Sequence, residues 1–280
     1  MKAIMRESLA PEDGRMRSPH GKGREKHTAL LAVSGLQMRF GGLLAVDDVA
    51  FEVRRDEVFA IIGPNGAGKT TVFNCVGGFY RPSGGQIEFD GRQIAGLPSH
   101  RIARLGLVRT FQNIRLFKQL TAVENLLVAQ HRQVEPGLLR GLFATPGYQR
   151  AEQAALARAA DWLERMGLRE IANREAGTLS YGHQRRLEIA RCMMTGPRLL
   201  MLDEPAAGLN PQEKIELQQL IDQLRREFGI AVLLIEHDMG LVMGISDRIL
   251  VMEHGRPIMT GAPQAVRNDA RVIKAYLGED

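Results

Sequence analysis

Three short stretches carry side chains whose types and spacing can do chemistry. The first is Gly63-Pro64-Asn65-Gly66-Ala67-Gly68-Lys69-Thr70, which satisfies G-x-x-x-x-G-K-[ST]. Glycines at these places let the backbone curl until several N–H groups face one point, an arrangement suited to phosphate oxygens. A helix expected to begin near Lys69 adds its dipole and its unpaired amides to the same point. In that setting Lys69 neutralises the β- and γ-phosphates of a nucleotide, the Thr70 hydroxyl ligates Mg²⁺, and the adjoining Thr71 belongs to the same cradle.

The second stretch is Leu199-Leu200-Met201-Leu202-Asp203-Glu204. A buried strand here delivers carboxylates at its C-terminal end, where ligands bind in open parallel sheets. Asp203 is placed to hold Mg²⁺ through water and Glu204 to polarise an attacking water as general base. The third is Leu179-Ser180-Tyr181-Gly182-His183-Gln184, running into Arg185 to Met194. Ser180 reads as a helix N-cap, and a Ser-x-Gly at a helix start is also a second anion site.

These stretches need a scaffold, and the flanking sequence supplies one. Leu36, Met38 and Phe40, then Val49, Phe51 and Val53, alternate about a Gly41-Gly42 turn, as antiparallel strands do. Val58 to Ile62 is a compact apolar run ending in glycine and reads as a buried parallel strand. From Thr121 the character becomes helical, with Thr121 and Glu124 forming a capping-box pattern. Ala155, Ala159, Trp162, Leu163 and Met166 recur at helix spacing, and Pro136 to Gly147 reads as a loop or insertion between the two helical stretches. Asn210-Pro211 with Glu213 opens another helix, whose face is Leu217, Leu220, Ile221, Leu224 and Phe228, closed by Gly229 before the strand Ala231 to Ile235. Strands alternating with helices predict a parallel sheet covered by helices, with the helical middle inserted as a subdomain.

Composition narrows the classes. Of 280 residues 44% are hydrophobic and 25% charged, ordinary for a chain that buries a sizeable core, and no apolar run approaches the ~18 residues of a membrane span. The net charge is +5, yet the first 29 residues hold seven Lys/Arg against four acids, so little basic excess remains for a nucleic-acid surface. That segment lacks an apolar h-region and is expected as a disordered basic arm, with attraction to anionic lipid or a phosphorylated partner as the sharper alternative. Cys75 and Cys192 lie far apart in helical stretches and read as small buried residues in a reducing compartment.

The Ser180 segment resembles the LSGGQ signature of ABC ATPases, in its usual place about 20 residues before Asp203. The resemblance implies an α/β cassette: a RecA-like P-loop NTPase core with a parallel sheet, an N-terminal antiparallel β subdomain and an inserted α-helical signature subdomain. It places residues 30–111 and 196–262 in the core with its β subdomain, 112–195 in the helical subdomain and 263–280 in a C-terminal helical segment. It implies further that Gln112 is the Q-loop glutamine that couples Mg²⁺ and the attacking water to the transport partner. His237 resembles the switch histidine that contacts the γ-phosphate, and Phe40 occupies the position of the aromatic that stacks on adenine. Ser180 and Gly182 would meet an ATP held by the partner cassette.

Further stretches, Met38 to Val46, Arg109-Thr110-Phe111-Gln112, Glu124 to His131, Glu204 to Pro211, Met243 to Arg248 and Lys274 to Glu279, resemble the LivG-type ATPases of branched-chain amino acid importers. The partners this implies are a second ATPase of LivF type, or a second copy, facing it head to tail; two transmembrane permease subunits; and, indirectly, a periplasmic amino-acid-binding protein. The subunit would sit peripherally on the cytoplasmic face of the inner membrane, with no nucleic acid as partner. Related urea, amide or lipopolysaccharide transport ATPases share most of these motifs, and a soluble ABC ATPase acting on DNA or ribosomes is the different-class alternative. The chain departs from the general pattern at Tyr181 and His183 in the signature and at Asn210, where the D-loop usually has aspartate.

Overall fold

The computed structural model describes residues 29–130 and 146–277. Nearly all of the basic N-terminal segment and of the Pro136–Gly147 stretch lies outside them. Strand β1 (Leu31–Phe40) turns through Gly41-Gly42 into β2 (Leu43–Val53), pairing antiparallel from Leu31↔Val53 to Phe40↔Leu43. Next come β3 (Val58–Ile62) and helix α1 (Lys69–Val76), then β4 (Gly84–Phe89) and β5 (Arg92–Gln93). Strands β4 and β5 complete a four-stranded antiparallel sheet of order β2-β1-β4-β5.

Helix α2 (Ser99–Arg104) leads into β6 (Leu107–Arg109), and a helical stretch follows: α3 (Ala122–Gln130), α4 (Pro146–Arg165) and α5 (Tyr181–Met193). The chain then returns through β7 (Leu199–Asp203), α6 (Pro211–Phe228), β8 (Ala231–Ile235), α7 (Met239–Ile245), the hairpin β9 (Arg248–Glu253) and β10 (Arg256–Gly261), and helices α8 (Pro263–Arg267) and α9 (Ala270–Leu277). The second sheet has order β10-β9-β3-β8-β7-β6 and is parallel except for the β9–β10 pair.

Every residue of β3, β7 and β8 is buried, which explains their unbroken apolar runs: both faces of this sheet are covered. Alternate residues serve two cores. Val58, Ala60, Leu200, Leu202, Val232 and Leu234 pack with α3 to α7, whereas Phe59, Ile61, Leu199, Met201 and Leu233 pack with α1 and the antiparallel sheet. A period of two thus divides each strand between the layers.

The helix signals act locally as their chemistry requires. Thr121 and Glu124 exchange backbone and side-chain hydrogen bonds at the start of α3, and Asn210 and Glu213 do the same at α6. Helix α6 ends on Gly229 at φ 61°, ψ 36°. One expectation needs correction. Leu217, Leu220, Ile221 and Leu224 are buried as an apolar face should be, but Phe228 remains 38% exposed. It sits at the rim, its ring 4.8 Å from that of Trp162 on α4, with the Arg165 guanidinium over it. The last turn of α6 has outrun the core, so Phe228 packs sideways between helices.

Both cysteines are free and buried, and burial pushes the Cys75 thiol up to about 11 and the Cys192 thiol to about 12. Replacing Asn210 with Ala removes the reciprocal cap of α6. The expected result is a loss of about 1 kcal/mol of unfolding free energy in urea titrations, with the slope of the transition unchanged.

Candidate nucleotide site

Parallel strands leave their C-terminal ends along one edge of the sheet, and the chemistry-bearing residues follow those ends. The loop Gly63–Gly68 leaves β3; Asp203 and Glu204 end β7; Glu236 and His237 follow β8; Thr110 to Gln112 follow β6. Strand order β3-β8-β7-β6 therefore sets them in a row from the glycine-rich loop to Gln112.

Helix α1 begins at Lys69, with Gly68 before it at φ 92°. A β-carbon at Gly68 would come within 2.7 Å of the Ala45 carbonyl, so both conformation and close approach demand glycine. Lys69 is 5% exposed; its ammonium donates to the carbonyls of Gly63 at 2.7 Å and Pro64 at 2.8 Å. Burial pushes its pKa below the usual lysine value, against the opposing pull of Glu204. A cation buried among neutral carbonyls and helix-start amides is a positive site awaiting a polyanion. It borders a cavity of about 410 Å³ that is also lined by Asn65, Gly66, Ala67, Gly68, Thr70, Thr71, Glu204 and His237.

Three residues read from the sequence as catalytic converge. The Gln112 Nε2 donates to Glu204 Oε2 at 2.9 Å, and the His237 Nε2 lies 2.7 Å from Glu204 Oε1. Glu204 has φ 47°, a left-handed conformation that is costly for a side chain of this size, and its amide donates to the Ile235 carbonyl at 2.9 Å. Its carboxylate is thereby turned back over the cavity. Asp203 is 4% exposed at the same edge. No group of three or more His, Cys, Asp or Glu among the described residues could hold a metal alone. A Mg²⁺ ion here would be held by the Thr70 hydroxyl, Asp203, phosphate oxygens and water, a hard-oxygen set that suits it.

Seven other sequence-predicted positions do not line this cavity: Gly63 and Pro64, which accept from Lys69; Gln112, which donates to Glu204; Asp203; and Phe40, Ser180 and Gly182. Phe40 is 41% exposed and meets Tyr80 edge to face at 5.3 Å; the apolar residues that line the cavity beside the loop are Leu43, Leu44 and Ala45. Ser180 caps α5, accepting from the His183 amide at 3.3 Å, and is not among the cavity's lining residues. Nor is Gly182, whose missing side chain has a local reason as well: a β-carbon there would run into the Glu213 carboxylate that caps α6.

Sequence reasoning missed two organisers. Glu236, 3% exposed, accepts from the amides of Ala206, His237 and Asp238 at 2.7, 2.8 and 3.2 Å, tying the turn after β7 to the one carrying His237. Arg109 pairs with Asp203 at 2.6 Å and with Asn74 at 2.7 Å, its guanidinium about equidistant from the rings of Phe73, Phe79 and Phe111. The available signal was a charged residue next to each apolar strand end, which a search for known motifs passes over.

A glycine-rich loop entering a helix, a strand-end carboxylate pair and an inserted helical layer define an ABC-type nucleotide-binding cassette. Comparison with known proteins agrees. The family model for ABC transporters matches residues 46–207, and that for the branched-chain amino acid ATP-binding cassette transporter matches residues 256–280. The chain is 63% identical over 250 residues to the high-affinity branched-chain amino acid transport ATP-binding protein BraF of Pseudomonas aeruginosa, and 60% identical over 250 residues to LivG of Escherichia coli K12. Each alignment covers 89% of this chain and 98% of the relative. Among solved structures it is similar to the ADP conformation of MJ1267, an ATP-binding cassette of an ABC transporter, with a TM-score of 0.78 and 32% identity over 90% of this chain and 99% of that one. The chain belongs to the ABC transporter family as an ATP-binding subunit of the LivG/BraF type. Its ligand is ATP, with Mg²⁺, and it hydrolyses ATP to energise transport.

The loop geometry yields a direct test. Gly68→Ala is expected to lower affinity for a fluorescent ATP analogue at least tenfold. Gly91→Ala also sits at positive φ but faces open space, and should leave binding unchanged at a cost of about 1–2 kcal/mol in stability.

Proposed function

We propose that this subunit powers import of branched-chain amino acids, working from the cytoplasmic face of the membrane with permease subunits and a second cassette. The observation that carries the catalytic assignment is the convergence of Gln112 and His237 on Glu204 beside the buried Lys69. The cargo follows from relatives above 60% identity whose names state branched-chain amino acid transport, together with the C-terminal match over residues 256–280. No helix among the described residues is long and apolar enough to cross a membrane.

In this reading Lys69 and the amides of residues 65–70 hold the β- and γ-phosphates, and the exposed Phe40 ring, which does not line the cavity itself, offers a face to the adenine at the sheet's edge. Thr70 and Asp203 would hold Mg²⁺, which would supply positive charge to the phosphate oxygens as the γ-phosphoryl group passes to water and ADP leaves. Glu204 orients and polarises the water; Gln112 and His237 hold its two carboxylate oxygens and so fix where the water must sit. Ser180, exposed at the start of α5, is offered to the nucleotide of a partner cassette arranged head to tail, with Gly182 buried beside it against Glu213. Two helix N-termini then enclose one triphosphate, and hydrolysis removes the charge that bridges them. The amino acid itself never meets this subunit.

Lys69→Ala removes charge-assisted hydrogen bonds of about 1.5–3 kcal/mol, so the ATP dissociation constant should rise about 10- to 150-fold in equilibrium binding measurements. Glu204→Gln should keep ATP affinity within about threefold while hydrolysis falls about 10²–10⁴-fold, and a closed dimer should accumulate in size-exclusion chromatography with ATP. Normal turnover by that variant would remove Glu204 from the base role. Cargo is tested by co-purifying the permease from membranes and measuring uptake of leucine, isoleucine and valine. Recovery with ribosomes or DNA would overturn the transport assignment.

A further inference from the structure

The geometry points to Arg185 and Glu188 as a positioning pair that welds the backbone carrying Gln112 to the helix whose first turn carries Ser180 and Gly182. The inference rests on the reading that these three residues face nucleotide. Neither Arg185 nor Glu188 lines the cavity, so any effect they have on hydrolysis must pass through another group.

Residues 110–117 follow β6 without belonging to a helix or strand. The last ladder contact of the segment is the Thr110 amide on the Met201 carbonyl, at 2.9 Å. Beyond it the chain would be free to choose its course, yet Gln112 reaches Glu204 with its amide nitrogen at 2.9 Å. What holds it is side chain. Arg185 and Glu188 are each 1% exposed, and Arg185 is the largest fully buried side chain among the described residues. One guanidinium nitrogen donates to the Phe111 carbonyl and to Glu188, both at 2.9 Å; the other donates to the Gln112 carbonyl at 3.0 Å and to the Tyr181 hydroxyl at 3.1 Å. Glu188 in turn accepts from the Arg115 amide at 3.2 Å. The pair therefore grips a five-residue stretch by two carbonyls at one end and an amide at the other.

A buried ion pair is costly to desolvate and is often no more stabilising than apolar residues of the same size. A defined arrangement is what such a network adds: both terminal guanidinium nitrogens are matched here and only the buried Arg185 Nε lacks an acceptor, whereas sliding the stretch would strip partners from the other two as well. Here the arrangement is one of α5 against Phe111 to Arg115. The stretch cannot slide along α5 without breaking several hydrogen bonds together, so it travels with the helix as one body. The flexible joint then falls between Thr110, held by the sheet, and Phe111, held by α5.

The test uses the full chain with Arg185→Met and Glu188→Leu combined, an apolar replacement that leaves no lone buried charge. Amide hydrogen exchange at Arg115 should accelerate at least tenfold while that of α1 stays unchanged. Affinity for a fluorescent ATP analogue should stay within twofold. Hydrolysis should lose at least tenfold in kcat with KM unaltered, since the phosphate cradle is intact and only Gln112 has lost its seat. A merely structural role would instead accelerate exchange throughout and weaken binding together with turnover. Arg185→Lys keeps the charge but loses the planar fork, and should show the same local exchange change at threefold or more. Should the double variant not fold, this second variant decides. Unchanged exchange at Arg115, or accelerated exchange with normal kcat, overturns the inference. Failure of the wild-type chain to bind ATP would instead strike the nucleotide reading, and the exchange result would still judge the pair.

Discussion

An ammonium group sealed at the edge of a parallel sheet, with only carbonyl oxygens of its own loop as hydrogen-bond acceptors, is the constraint on which the rest of this structure turns. Lys69 is costly to bury: burial pushes its pKa below the usual lysine value, against the attraction of Glu204. In the proposed function that cost has a use, because a triphosphate entering the loop would meet a desolvated positive charge and helix-start amides. Everything nearby keeps that point both rigid and accessible. Gly68 lets the loop pass against the Ala45 carbonyl, joining the antiparallel sheet to the phosphate cradle. The buried runs of β3 and β8 hold the loop's root in place.

From that point the strand order does the remaining placement. Each parallel strand delivers one functional segment to the same edge, and its neighbour in the sheet delivers the next. Polar side chains then join segment to segment: Glu236 ties the turns after β7 and β8, Arg109 ties β6 to Asp203 and to Asn74 on α1, and Arg185 with Glu188 ties the loop after β6 to α5. The apolar cores set the layers, whereas these few charged side chains set the register among catalytic segments. Glu204, held in a left-handed conformation between Gln112 and His237, is where the ties meet.

Much of this was legible in the sequence, for identifiable reasons. The glycine-rich loop, the capping boxes at Thr121 and Asn210, and the five-residue apolar runs are local codes, in which neighbouring residues alone determine the outcome. The family, read from the order of the three motifs, stands. Phe228 was misread because periodicity states which way a residue points but not where the core ends. Arg185 and Glu188 sit at i,i+3 on one helix and so could be paired from spacing, but their hold on Phe111 to Arg115, like the ties of Glu236 to Ala206 and of Arg109 to Asp203, spans 30 to 94 residues and leaves no trace in local spacing. Phe40 presents the opposite case: its place in the chain suggests adenine, while its contacts are with Tyr80 at the sheet's edge.

The account as a whole stands on Mg²⁺-assisted capture of a triphosphate at Lys69. Calorimetric titration of ATP into the purified full-length chain, with Mg²⁺ present and again with the metal chelated, addresses this most directly. Saturable single-site binding that weakens at least tenfold on chelation is the predicted result. Absence of binding heat in both titrations, or equal affinity with and without the metal, would contradict it.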